Sequence, residues 1–406
     1  MDSINKPLQF PTLRGLVSGP QSLLTPLHLG ALCVALGVLT PIIALIWQAT
    51  QADLSHWGNL LTYVLPAALK NTVLLLAGVA VMVGVIGVGS AWAVTAWDFP
   101  GRKILSWALL LPLAMPTYIV AFAWLDLLHP IGPLQTFIRF LLGFDSPRQF
   151  RLPDLRSLSG AIILLGLVLY PYVYLTTRAM FISQPAHLLE AARTLGCSAT
   201  GTFFRVALPM ARPALAVGIS LALLETLNDI GASEFLGVQT LTVTVYTTWI
   251  SRSDLSAAAQ IACMMLMFIF LILTLEFYGR RKQGFSSRSL REIQPTRVQG
   301  WRGWLLGGVI SLPVLLGFLA PVLFLMWESA KRIGDENPLS SSLLSALQNT
   351  LSLAAGTTLV VVCVSMLVAW SARHSAADNA MPGFRRGVMR LASLGYAVPG
   401  TILAIG

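Results

Sequence analysis

The chain has 406 residues, 55% of them hydrophobic and 11% charged, with a mean hydropathy of +0.73. A soluble domain carries about 25% charged residues, so a dissolved enzyme or carrier is excluded: there is too little polar side chain to cover so apolar a chain. The net charge of +10 lies in segments between apolar runs, the signature of membrane topology and not of a nucleic-acid-binding stripe.

A membrane-crossing helix needs about 20 apolar residues. Runs of that kind fall at 29–47, 71–97, 104–128, 159–180, 213–230, 257–277, 304–327 and 350–370. A ninth opens at Leu391 and is still apolar at Gly406. Lipid offers no partner to an open sheet edge, so each run is expected to be helical and the fold class is an all-α polytopic membrane protein. The first run is long enough to span and reads as a signal-anchor helix, not a cleaved leader. With a cytoplasmic N-terminus, 19 of the 27 Lys and Arg fall inside and 8 outside, as the basic bias requires. The outside segment 129–158 resists that bias with Arg139, Arg148, Arg151 and Arg156, and its apolar stretch Phe137–Phe144 is expected at the membrane surface.

An internal repeat divides the chain. Leu69-Lys70-Asn71-Thr72 has a partner in Leu347-Gln348-Asn349-Thr350, and Phe99-Pro100-Gly101-Arg102 in Pro382-Gly383-Phe384-Arg385. Leu111–Thr117 has its partner in Leu394–Thr401. Duplicated halves are common in transporters, where the solute path lies between them. The expected organisation is a first half over 1–278, a basic cytoplasmic linker over 279–303, and an incomplete second half over 304–406.

Residues 190–209 read EAARTLGCSATGTFFRVALP. The string Glu190-Ala191-Ala192, then Gly196, then Val206-x-Leu208-Pro209 follows the spacing EAA-x3-G-x9-V-x-LP inside the polar segment 186–212. Alanines and Leu195 favour a short helix, Gln184-Pro185 suits its start, and Gly196 suits its end. Pro209 is expected to reset the chain before the next span. This pattern resembles the EAA loop of ATP-binding-cassette importer permeases. Residues 218–250, with Glu225-Thr226-Leu227-Asn228-Asp229-Ile230-Gly231-Ala232 and Leu236–Thr242, resemble the ferric-iron permeases of that superfamily, as does the two-half plan.

The resemblance implies a type I importer fold of duplicated six-helix halves, here with the second half truncated, in a bacterial inner membrane. It assigns ATPase coupling to Glu190, Ala191, Ala192, Gly196, Leu208 and Pro209. It implies a separate ATPase subunit that holds ATP and Mg, a periplasmic solute-binding protein that delivers ferric iron, and surrounding membrane lipid, with no cofactor in this chain. Similar permeases carry thiamine, sulfate, phosphonates or polyamines, which leaves the solute open. One departure stands out: the second EAA loop would fall about 280 residues after Glu190, beyond Gly406, so symmetric docking of two ATPase subunits is in doubt for this chain.

Glu225 and Asp229 are four apart in the fifth run, which predicts one helix face. With Asn228 they form a candidate translocation path, because a carboxylate in lipid costs at least about 2.5–3.5 kcal/mol unless a cavity or partner receives it. Oxygen donors would suit a hard cation. The other reading leaves both acids wetted at the outer end of the span. Asp126 reads as interfacial, and Glu276 as a surface ion pair beside Arg280 and Arg281. Pro112, Pro116 and Pro399 are expected to kink their spans.

Cys33, Cys197, Cys263 and Cys363 are far apart and read as apolar core residues, not as disulfides or metal ligands. The sequence lacks a Gly-rich phosphate loop, so no ATP hydrolysis is expected, and it lacks HExxH and GxSxG. Rival readings are the same machinery for another solute, a gradient-driven secondary transporter, and a non-transporting scaffold. The second of these lacks a charge relay, since 304–327 and 350–370 hold no charged residue.

Overall fold

The structure is a computed structural model that describes residues 26–51, 58, 60–280, 294–334, 341–377 and 400–405. Helix α1 is Pro26–Thr50, and α2 is Leu65–Ala96 behind a π turn at Leu60–Val64. Strand β1 is Trp97–Asp98. Then come α3 (Arg102–Ala108), a 3₁₀ turn (Leu111–Ala114), α4 (Thr117–Leu127), α5 (Pro133–Leu142) and α6 (Leu158–Ser183). Helix α7 is Ala186–Thr194, α8 is Ala199–Asn228, α9 is Ile230–Phe235, α10 is Leu241–Ile250 and α11 is Leu255–Arg280. Strand β2 (Thr296–Arg297) precedes α12, which runs from Trp301 to Gly334 through a π turn at Leu315–Leu319. Helices α13 (Ser341–Ala377) and α14 (Gly400–Ile405) complete the described residues.

Seven of these helices are long and apolar enough to cross a membrane, and α3 with α4 makes an eighth candidate as a pair bent by 93°. They coincide with the eight complete apolar runs. The third run departs most from a straight span, because the proline kink is a full break. Met115 is extended (φ −108°, ψ 130°), as the residue before a proline prefers, and α4 restarts after Pro116. Pro209 does the opposite of what its position predicts. The chain does not reset there: α8 starts at Ala199 and carries Pro209 inside it. A π turn at Phe203–Ala207 lies just ahead, with the Leu208 N–H bonded to the Phe203 carbonyl, and helix continues through the imino residue. Of the ninth run, only 400–405 are described, as helix; Pro399, 382–385 and the linker residues 281–293 lie outside the described residues.

By contacts, Pro41–Ser340 with Ala397–Gly406 form one unit, and Met1–Thr40 with Ser341–Tyr396 another. In the larger unit α6 is the hub: Leu164, Leu165, Val168, Leu169, Tyr170, Val173, Tyr174 and Phe181 are all buried. Two glycines let its neighbours approach to backbone distance. A Cβ on Gly87 of α2 would stand 2.7 Å from Val173 Cβ and 2.9 Å from the Tyr174 backbone nitrogen. A Cβ on Gly218 of α8 would stand 2.7 Å from Val173 Cα. Lipid supplies little hydrophobic drive between helices, so close van der Waals packing of this kind is what holds them. A second cluster joins Leu45 of α1, Leu65 of α2, Leu227 of α8, Leu241 of α10 and Met265 of α11. Gln48 donates to Ser256 at 2.9 Å and Gln260 to the Ala49 carbonyl at 2.9 Å, pinning the end of α1 to α11.

The smaller unit contains α13, long, with its Ser342–Ser371 stretch apolar. Asn349-Thr350 lies within it as Asn71-Thr72 lies within α2, and both threonines bond the carbonyl four residues back, Thr72 to Ala68 and Thr350 to Ala346, each at 2.8 Å. The stretch around Phe137 forms α5, with Phe137, Phe140 and Leu141 exposed while Gln135 and Arg139 are buried. Glu276 pairs with Arg280 at 2.9 Å, as expected. All four cysteines are free.

Replacing Gly218 with Val should push α8 off α6 and destabilise the chain by about 1–3 kcal/mol. Gly84→Ala, whose Cβ would meet only Ile219 at 3.8 Å, should leave stability unchanged or slightly raised. Thermal unfolding of both variants in detergent micelles measures the difference.

Candidate coupling surface and translocation path

The segment 184–209 closes the hub helix at one end. Helix α6 stops at Ser183, and Gln184 and Pro185 are extended before α7 begins at Ala186. Gln184 is buried, and its Nε2 donates to the Ala207 carbonyl at 2.9 Å, tying the entry of α7 to the π turn of α8. Nine residues give α7 two and a half turns, enough for distinct faces. Ala186, Leu189 and Ala192 are buried, while Glu190, Ala191 and Arg193 are exposed. The helix ends in a Schellman motif: the Cys197 N–H reaches the Ala192 carbonyl at 3.0 Å, and Gly196 takes φ +89°. A residue with a Cβ is disfavoured at that φ, so Gly196 is required by the turn. Ser198 then caps α8, its Oγ accepting from the Gly201 N–H at 3.1 Å.

Beneath α7 lies an aromatic floor. The ring of Trp92, from α2, stands 5.3 Å from Phe181 of α6 and 5.2 Å from Phe203 of α8. Leu189 belongs to the same buried cluster, and Val206 and Leu208 pack against it. The expected coupling residues therefore divide by position. Glu190 and Ala191 face out, Ala192 is buried, Gly196 forms the exit turn, and Leu208 and Pro209 are half-buried within α8.

The second site lies where three helices break near one another. Helix α8 stops at Asn228, and Asp229 leaves the helical conformation (φ −84°, ψ 94°). Asp229 therefore does not share a helix face with Glu225, contrary to the four-residue spacing. Its Oδ1 instead caps α9, accepting from the Ala232 N–H at 2.9 Å. Among the described residues, neither Asn228 Oδ1 nor Asp229 Oδ2, both buried, has a hydrogen-bond partner, nor does the Oγ of the fully buried Ser233.

Thr117, the first residue of α4 after its break, lies against the Asp229 side chain. A Cβ on Gly231 would stand 2.9 Å from Tyr118 Cβ. The third break, before α10, is held by Asn71 and Thr72: Asn71 Nδ2 donates to the Gln239 carbonyl at 3.1 Å, and the Leu241 N–H donates to Thr72 Oγ1 at 2.9 Å. Thr242 donates to the Leu227 carbonyl at 2.6 Å.

Thr117, Tyr118, Ser233, Asn71 and Thr72 thus join a neighbourhood that Glu225, Asn228 and Asp229 had marked. Pro116-Thr117 and Asn228-Asp229-Ile230-Gly231 each carry the helix-break signal that points to it. Beyond the breaks, Asp126, His129, Arg151, Asp154 and Arg156 line a cavity of about 360 Å³ with Phe122 and Phe235.

With this geometry in place, the resemblance to known proteins is specific. Residues 83–284, which hold the coupling segment and the Thr117 and Asn228–Ser233 part of the second site, match the family of binding-protein-dependent transport system inner membrane components. The chain is 29% identical over 264 residues to the sulfate transport system permease protein of Salmonella typhimurium, covering 62% of this chain and 92% of that one. It is 26% identical over 384 residues to an Fe(3+)-transport system permease protein of Haemophilus influenzae, covering 92% of this chain and 69% of that one. The fold resembles a chain of a bacterial alginate ABC transporter solved with an alginate pentasaccharide-bound periplasmic protein, at a TM-score of 0.50 and 18% identity over 61% of this chain and 90% of that one. Residues 83–284 of this chain thus carry a binding-protein-dependent transport system inner membrane component domain, and the chain is a multi-pass permease of the ATP-binding-cassette importer type with a type I fold.

Proposed function

We propose that this permease imports ferric iron, and that α7 receives the force of a separate ATPase subunit, which holds ATP and Mg. The observation that carries the coupling reading is the docking of α7. Leu189 on its inner face belongs to the buried cluster around Trp92, where the ends of α2 and α6 and the start of α8 meet, while Glu190 and Ala191 face outward. A push on the outer face is passed to three helices at once, because a close-packed aromatic floor does not absorb displacement. Gly196 and the π turn then lead the force into α8, whose far end is the polar break at Asn228 and Asp229.

Movement of α8 against α4 would open or close the path between these breaks. Asn228 Oδ1, Asp229 Oδ2 and Ser233 Oγ are oxygen atoms buried without partners among the described residues, groups that gain from a passing hydrated solute or a rearranged neighbour. The cytoplasmic N-terminus, inner-membrane location and delivery by a periplasmic solute-binding protein belong to the same reading, supported by the basic bias of the loops and by the family match. The repeat-based division at 278 and 304 belongs to it too.

Iron is favoured over other solutes by the extent of similarity. The Fe(3+)-named relative aligns with 92% of this chain, through the linker and α12, while the sulfate-named relative aligns with 62%. The second reading is the same machinery for an oxyanion, favoured by the higher local identity of the sulfate-named protein. Uptake of radiolabelled ferric iron and of radiolabelled sulfate by cells expressing the complete transporter separates them: iron accumulation is expected, and sulfate accumulation alone would overturn the assignment.

Two variants test coupling. Glu190→Lys reverses the charge on the outer face of α7 and should abolish uptake while membrane insertion stays at the parent level. Trp92→Phe thins the floor under α7. It should lower solute moved per ATP hydrolysed several-fold in proteoliposomes, with only a modest loss of stability, about 1–2 kcal/mol.

A further inference from the structure

The linker between the expected halves returns to the coupling surface. Its stretch Gln294–Gly300, just ahead of α12, is mostly polar, yet it is fixed in place. Strand β2 pairs in parallel with β1, Trp97 opposite Thr296 and Asp98 opposite Arg297. The Val298 N–H donates to the Asp98 carbonyl at 2.9 Å. Asp98 is also the centre of two ion pairs, to Arg102 and to Arg297, each at 3.9 Å. Arg102 in turn donates through Nε to the Val94 carbonyl at 2.7 Å, satisfying the last turn of α2. The linker is thus clipped to the end of the same helix whose Trp92 supports α7.

The clip has a consequence for α7. Gln294, just before β2, forms one wall of a cleft of about 100 Å³. Trp92, Ala96, Ala186 and Leu189 supply its apolar lining, and Glu190 and Arg193 of α7 stand at its polar side. The lining suits a side chain with an apolar stem and a polar tip, and the volume admits one such group. Gln294 and the outer face of α7 are both exposed, so the cleft continues the surface assigned to the ATPase.

We infer that the linker is a second element of the ATPase-docking surface: Gln294, held by the β1–β2 clip, completes with Glu190 and Arg193 a socket for one side chain of the ATPase subunit. This inference rests on the coupling role of α7. It makes the docking surface discontinuous in sequence, with one part from the EAA segment and one from the tether to the second half. Docking then senses the position of that tether, and clip and socket respond together.

The test uses the full chain in lipid nanodiscs and the ATPase subunit that co-purifies with it, with affinity read by titration of the labelled ATPase subunit. Gln294→Trp fills the socket from an exposed position. It should weaken binding at least tenfold while thermal unfolding of the permease stays at the parent value. Gln299→Trp places the same bulk on the linker beyond the clip, at another exposed position, and should bind as the parent does. If Gln294→Trp binds normally while Glu190→Lys does not, the linker inference is overturned and the coupling role of α7 stands. If Glu190→Lys also binds normally, both fall. If Gln299→Trp weakens binding as much as Gln294→Trp, the effect is one of bulk on the linker and the socket is overturned.

Discussion

Close backbone approach on both sides of α6 is the constraint on which the larger unit depends. Gly87 and Gly218 bring α2 and α8 against the same residue, Val173, from two directions. In a membrane this contact replaces the hydrophobic drive that holds a soluble core. It also fixes which helix ends converge. The ends of α2 and α6 and the start of α8 meet at Trp92, Phe181 and Phe203, and α7 can be seated only where those ends already lie together.

That seat explains how so short a helix holds its shape. A nine-residue helix is marginal in isolation, because helix nucleation costs more than a few turns return. Here its inner face is buried, its exit is locked by Gly196, and Gln184 ties its entry to α8. The π turn at Phe203–Ala207 has a related role. It lets the helix that leaves the coupling segment pass through Pro209 without a break, so beyond the turn at Leu195–Ser198 the path from α7 to the interior is continuous helix.

At the other end of α8 the rule is reversed, and breaks are concentrated. Three helices stop or restart near Thr117, Asp229 and Thr240, and side chains take over the backbone bonds that helix continuity would have made. Asp229, Thr240, Asn71 and Thr72 each receive or supply a bond to an interrupted backbone. Irregular backbone at membrane depth is tolerated where protein or a water-filled cavity surrounds it, which fits this location for a path.

The eight complete apolar runs, their helical state and the EAA spacing were legible in the sequence, because each depends on local composition: lipid admits only helices, and 20 apolar residues are long enough to cross. The Asn-Thr repeat was legible as a pattern, but its work at position 72, receiving the N–H of Leu241 from 169 residues away, was not. Local rules misread Pro209 and Asp229, since a π turn upstream and a cap downstream decide what each residue does. Sequence by itself determined what must lie in the membrane and which short segment must lie outside it. Only the tertiary structure decided that α7 rests on Trp92, that the linker is clipped to Asp98, and that three breaks share one neighbourhood, because these are contacts between residues far apart in the chain.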